Sequence, residues 1–167
     1  MEYFEVVQRR QSIRKYKSRP IESEKLEAIL KAANQAPSAG NFQAYEIYVV
    51  KTAALRQAIA RSTWDQEWIA NAAVLLVFCT HAARCQYPGA EIYAMQDASI
   101  ATTQAMLAVT AVGLGACWVG AFDPKKVSEV VGTPVGVQAM AILAIGYADE
   151  KPERTPRRPL SDVVHEL

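Results

Sequence analysis

The chain has 167 residues, 51% hydrophobic and 21% charged, which is the composition of a globular protein and gives room for one domain over residues 1–167. Its formal net charge of +1 excludes a global attraction to nucleic acid or to an anionic membrane, so any cationic function must be local. Three cysteines without framework spacing (Cys79, Cys85, Cys117), no signal-peptide core and no apolar run long enough for a bilayer point to a cytoplasmic address.

Residues 2–9 place Tyr3, Phe4, Val6 and Val7 on a helical stripe. A second helix follows from Ile21, where Leu26, Ile29, Leu30 and Ala33 keep the i, i+3, i+4, i+7 spacing, with Ser23 as its expected N-cap and Pro37 beyond its end. The small and polar residues 37–43 form a loop, and Tyr45 to Val50 is a strand by its aromatic and β-branched content. After a short helix over 53–61, the unbroken apolar run 73–80 suits a strand buried on both faces. The segment 97–113 is almost entirely Ala, Met, Leu, Val, Ile and Thr after Asp97, which predicts a helix covered on every side. A strand at 116–120, a helix opened by Asp123-Pro124 and closed by Gly132, and a strand at 138–147 complete the elements. The tail 151–158, with three arginines and two prolines, is extended and runs over a surface or a partner. The order implies an α+β or α/β layered protein with four strands.

Several chemistries find no support. Gly113, Gly115 and Gly120 hint at a dinucleotide fingerprint, but Trp118 stands where its third glycine belongs. Cys79, His81 and Cys85 lack a fourth ligand for a structural zinc, so no metal site is expected. The distinctive stretch is Arg9-Arg10-Gln11-Ser12-Ile13-Arg14-Lys15-Tyr16. Basic runs are most often solvated turns, yet here Ile13 and Tyr16 alternate with the cations, so the segment is part-buried and its arginines need anions. A second arginine group, Arg154, Arg157 and Arg158, lies near the C-terminus. Two such groups with the Ser12 and Ser38 hydroxyls suit a phosphate monoester, which arginine binds through paired, charge-assisted hydrogen bonds. The residues by themselves imply a binder of a phosphorylated ligand.

Five blocks resemble the nitroreductase family in its order: Arg10-x-Ser12-Ile13-Arg14-x-Tyr16; Ala36-Pro37-Ser38-Ala39-Gly40-Asn41-x-Gln43; Gln96-Asp97 opening an Ala-rich helix; Gly113 to Phe122; and Arg157-Arg158-Pro159-Leu160. The resemblance implies an α+β fold with a central, mostly antiparallel sheet flanked by helices. It also implies an intertwined homodimer with FMN at the subunit interface. Arg10 and Ser12 with Arg157 or Arg158 would hold the ribityl phosphate, Gln11 would be a further cofactor-binding position, and Arg14 would sit at the N1/O2 edge of the ring, where negative charge collects on reduction. Pro37, Ser38 and Ala39 would come from the neighbouring subunit, with Asn41 and Gln43 on the same loop. Val119, Gly120 and Ala121 would offer a backbone N–H toward flavin N5. The implied activity is NAD(P)H-driven, ping-pong reduction of a nitroaromatic, a quinone or a related acceptor. No side chain needs to act as a catalytic acid or base, because the cofactor performs the chemistry. The alternatives are a non-enzymatic flavin-binding sensor of the same fold and a nucleic-acid binder, the latter disfavoured by the net charge. Gln11 stands where Arg or His is common in the family, and Val119 replaces an acidic residue of one branch. Little chain separates Thr80 from the apolar helix, so a long helical excursion over the site is absent and a more open pocket is expected.

Overall fold

The computed structural model describes residues 1–167. Helices α1 (Tyr3–Arg9) and α2 (Ser23–Asn34) precede strand β1 (Tyr45–Val50), helix α3 (Ala53–Ala60) and strand β2 (Val74–His81). Helix α4 (Ala90–Ala111), strand β3 (Gly115–Val119), helix α5 (Pro124–Val131) and strand β4 (Val137–Gly146) follow. The four strands form one sheet in the order β1-β2-β4-β3, antiparallel throughout.

The unbroken apolar run of β2 is explained by layers on both sides of it. Val74, Leu76 and Phe78 face α2 and α4 and join Leu26, Ile29, Ala98, Ala101, Ala105 and Val109. Leu75, Val77 and Cys79 face the opposite way and pack with Ile59 of α3, Ile69 and Val127 of α5. Alternate side chains of a strand point to opposite faces, so a strand with two covered faces reads as continuous apolar sequence. Burial of these two clusters is the main stabilising term, at roughly 25 cal/mol per Å² of apolar surface removed from water.

Helix α4 departs from expectation twice. It starts at Ala90, just after Gly89 at φ 81°, seven residues earlier than its apolar stretch suggests. Its coverage is also one-sided: Ala94, Ala98, Ala101, Ala105 and Val109 are buried, whereas Ile92, Met95 and Ile100 are exposed. The small residues lie on the sheet-facing side, where they let the helix approach closely, and the larger apolar groups point away. Ser23 is the first residue of α2 rather than its cap; Glu22 takes that position and its carboxylate turns instead to Tyr147. Asp123 does cap α5, accepting hydrogen bonds from the Lys125 and Lys126 N–H groups at 3.0 and 3.1 Å, and Gly132 closes the helix at φ 72°.

Residues 12–17 form a strap across the β3 end of the sheet. The Ile13 N–H donates to the Ala116 carbonyl at 3.0 Å, the Lys17 N–H to Tyr147 at 2.8 Å, and the Asp149 N–H to Lys15 at 2.9 Å. Two glycines make the close passage possible. A Cβ at Gly115 would stand 2.8 Å from Ile13, and one at Gly146 would stand 2.8 Å from the Tyr16 ring.

Candidate active site

The strap and the start of the C-terminal tail enclose a cleft of about 460 Å³, lined among others by Arg10, Gln11, Ser12, Arg14, Arg154 and Arg157. Four guanidinium groups face one carboxylate, Glu153. The Gln11 side-chain amide donates to the Pro152 carbonyl at 3.3 Å, and an Arg154 N–H donates to the Gln8 carbonyl, so the tail is stitched to α1 and to the residues that lead into the strap. Of the two tail arginines expected here, Arg157 lines the cleft; Arg158 is exposed and outside the lining. Arg154 was visible in the sequence only as one of a cluster. An extended tail has no period that would tell which of its side chains turn inward.

Arg14 is held at its backbone and along its side chain. Its N–H donates to Glu150 Oε1 at 2.5 Å, and the Lys15 N–H shares that oxygen at 3.0 Å. These hydrogen bonds, the Arg14 one first, keep the Glu150 carboxyl below its usual range. The guanidinium lies over the half-buried Trp68 ring, 5.9 Å from its centroid. Trp68 in turn leans on Tyr16 at 6.4 Å between centroids. The Tyr16 hydroxyl is placed to donate to the Ile13 and Ala144 carbonyls at 2.5 and 3.0 Å, and burial raises its pKa. Behind the strap, Cys117 is buried in β3; burial raises its thiol pKa against the opposing influence of Arg14, the Ser12 hydroxyl and Arg10.

Pro37, Ser38, Ala39, Asn41 and Gln43 occupy a different place and share none of the cleft lining. Their loop holds three residues at positive φ: Gly40 at 53°, Asn41 at 57° and Gln43 at 50°. Two of these are not glycine, and such backbone costs about 1–3 kcal/mol per residue unless its surroundings enforce it. The enforcement is visible. Asp97, 1% exposed, accepts from the Ala39 N–H at 2.9 Å with one oxygen and from the Ala44 N–H at 3.1 Å with the other. The Gln43 N–H donates to Ser38 Oγ at 3.0 Å, and the Gln43 side-chain amide reaches the Asn41 carbonyl at 3.1 Å. Phe42 packs edge-to-face on Tyr87 at 5.2 Å. The signal that could have found Asp97 is its solitude, since a charge on an otherwise apolar helix face needs a partner.

Val119 is buried at the end of β3, and Gly120 and Ala121 follow it on the surface. The Ala121 carbonyl accepts a hydrogen bond from the Gln66 amide at 2.7 Å, and Thr63 bridges Phe122. The segment 63–68 therefore touches both the 121–122 turn and, through Trp68, Arg14. His81 accepts from Arg84 Nε at 3.1 Å and lies 3.0 Å from Glu46, while Cys79 and Cys85 are buried.

A layered α+β protein that gathers four arginines and a serine beside a sheet edge is built to hold a phosphorylated ligand. The chain belongs to the nitroreductase family: the model described as the Nitroreductase family matches residues 7–83 and 60–147. It is 33% identical over 157 residues to an Archaeoglobus fulgidus protein provisionally named NADH dehydrogenase/NAD(P)H nitroreductase, covering 90% of this chain and 88% of that one. The fold superposes with a TM-score of 0.93 on nitroreductase A from Vibrio parahaemolyticus, at 29% identity over 99% of this chain and 76% of the other. It superposes at 0.92 on the NADPH:FMN oxidoreductase of Vibrio harveyi complexed with NAD+, at 27% identity over 98% of this chain and 76% of the other. Consistent with that difference in length, only eight residues, 82–89, join β2 to α4, and no long excursion is inserted there.

Proposed function

We propose that this chain is an FMN-dependent oxidoreductase that draws electrons from NADH or NADPH and passes them in pairs to nitroaromatic, quinone or related electron-poor acceptors. The observation that carries this reading is the cleft in which Arg10, Ser12, Arg14, Arg154 and Arg157 converge within a nitroreductase-family fold. The donor set fits FMN: a phosphate monoester carries about −1.5 to −2 charge at pH 7 and accepts strong hydrogen bonds from guanidinium groups. Arg10, Arg154 and Arg157 with the Ser12 hydroxyl would hold the phosphate, and Gln11 would fix the wall through Pro152. Arg14 would face the ring's N1/O2 edge with a fixed positive charge. Gly120 and Ala121, exposed after β3, would offer a backbone donor on the N5 side. When bound, FMN supplies the hydride chemistry, accepting two electrons from the nicotinamide and releasing them to the acceptor.

The second copy needed to complete the site is another chain of the same kind. The loop 37–43 lies apart from the cleft of its own chain, so it would serve the cleft of a partner. The outward face of α4, with Ile92, Met95 and Ile100, and the exposed Tyr3 and Phe4 of α1 supply apolar surface for such a homodimer. No helix is long and apolar enough to cross a membrane, and the three buried free thiols suit a reducing cytoplasm. We read residues 1–167 as a single FMN-binding domain.

Anaerobic titration of the FMN-loaded protein tests the activity. NADH or NADPH should bleach the flavin stoichiometrically, and added quinone or nitroaromatic should restore the colour. Colour retained under excess of both donors would instead identify a flavin-binding protein without reductase activity. Sedimentation at micromolar concentration should show a dimer.

A further inference from the structure

Three arginines outside the cleft are steadied by carboxylates: Arg9 by Glu5, Arg19 by Glu22 and Arg84 by Glu46. Arg14 has no such partner. None of the ion pairs includes its guanidinium; Glu150 takes only the backbone N–H groups of residues 14 and 15, and the side chain rests on Trp68. The distinction matters chemically. A carboxylate partner would engage the guanidinium N–H groups and offset its charge. An aromatic face engages the flat side of the cation, leaving the N–H groups at its rim for something else. A free arginine side chain on an exposed strap would also sample many rotamers, which would blur any charge it presents.

We infer that Trp68 is the positioning residue for Arg14, and that through it the indole sets the reduction potential of the bound flavin; this rests on the FMN reading above. The support is continuous from the sheet outward. The Ala144 carbonyl of β4 and the Ile13 carbonyl hold the Tyr16 hydroxyl, Tyr16 backs Trp68 at a 31° tilt, and Trp68 carries the guanidinium at the cleft wall. Trp68 itself is absent from that lining, so its influence passes through Arg14 rather than through contact with the phosphate. Trp68 is also packed against the core cluster that contains Tyr16, Ile69 and Ala72, which keeps the ring from following a displaced arginine. A cation held still at the ring edge favours the reduced, negatively charged ring over the oxidised one. The same cation on a mobile side chain favours it less.

A double-mutant cycle read by midpoint potential tests the inference on the FMN-loaded protein. Trp68→Leu should lower the potential in the same direction as Arg14→Gln, by a smaller amount, with FMN occupancy retained. In the Arg14→Gln background Trp68→Leu should add nothing. Trp68→Phe keeps an aromatic face; it should retain most of the wild-type potential, and whatever it loses should vanish in the Arg14→Gln background. That variant decides the matter if the leucine protein does not fold. Equal shifts with and without Arg14, or no shift from either Trp68 variant, would overturn the inference while leaving the flavin reading intact. A wild-type apo-protein that takes up no FMN would overturn both.

Discussion

Asp97→Ala removes one side chain and leaves two backbone donors without partners. The Ala44 N–H sits in a residue with no exposed surface, so water cannot replace the lost acceptor; the Ala39 N–H, in a half-buried residue, can be partly rehydrated. A hydrogen bond to a charged group is worth about 1.5–3 kcal/mol, and a stranded buried donor costs about 1–3 kcal/mol. Counting the Ala44 bond in full and the Ala39 bond in part gives a loss of about 3 kcal/mol. For a chain of this size each kcal/mol moves the thermal midpoint by about 2–4 °C, so the expected drop is about 6–12 °C. Asp97→Asn keeps the shape but presents its amide N–H₂ to one of the two donors, so it should lose about half as much. Urea unfolding at neutral pH measures the total, and amide hydrogen exchange at Ala44 locates it. The loop 38–43 should also lose its positive-φ geometry and, with it, the contribution proposed for it to a partner's flavin site. An Asp97→Ala protein within about 0.5 kcal/mol of wild type, with Ala44 still protected from exchange, would refute the assignment, since that is the range of substitutions that touch nothing.

Gly146→Ala should destabilise by about 1–3 kcal/mol, because the new methyl group meets the buried Tyr16 ring, and a thermal melt reports it. The Glu22 carboxyl is held down to about 2, first by the Tyr147 hydroxyl and then by its own backbone N–H, with Arg19 and Lys25 adding to it. A depressed carboxyl stabilises the fold above its unfolded pKa of about 4.3 and loses that contribution as pH falls through 2. Tyr147→Phe should therefore raise the Glu22 pKa and flatten this acid-side loss, with an unchanged carboxyl titration by NMR counting against it. Arg10→Ala should weaken FMN by about ten- to a hundredfold and riboflavin hardly at all. Equal weakening of the two in an apo-protein titration would remove Arg10 from the phosphate site.

Local chemistry was legible where it acts over short spans. The cap of α5 is written in Asp123-Pro124 and Gly132, and the strap announced its burial by placing Ile13 and Tyr16 between cations. Sheet order was not legible, since β2 is apolar on both faces and offers no alternation from which to choose neighbours. The start of α4 was hidden because Glu91 and Gln96 interrupt the apolar pattern on a face that the single chain leaves exposed. The assembly of the site was the least legible part. Asp97 meets residues 39 and 44 across more than fifty positions, and Glu150 meets Arg14 across 136. Only closing the chain brings such pairs together.

That last separation has a consequence for how the protein is made. The strap is synthesised well before its hydrogen-bonding partners, residues 116 and 144–150, and before its companions around the cleft, residues 152–157. Contacts so distant in sequence close late. During translation the strap must therefore wait for these partners until residue 150 has emerged. The cofactor can enter only afterwards, so flavin loading reports on chains that include residues 152–157, and a polypeptide truncated before them should stay colourless.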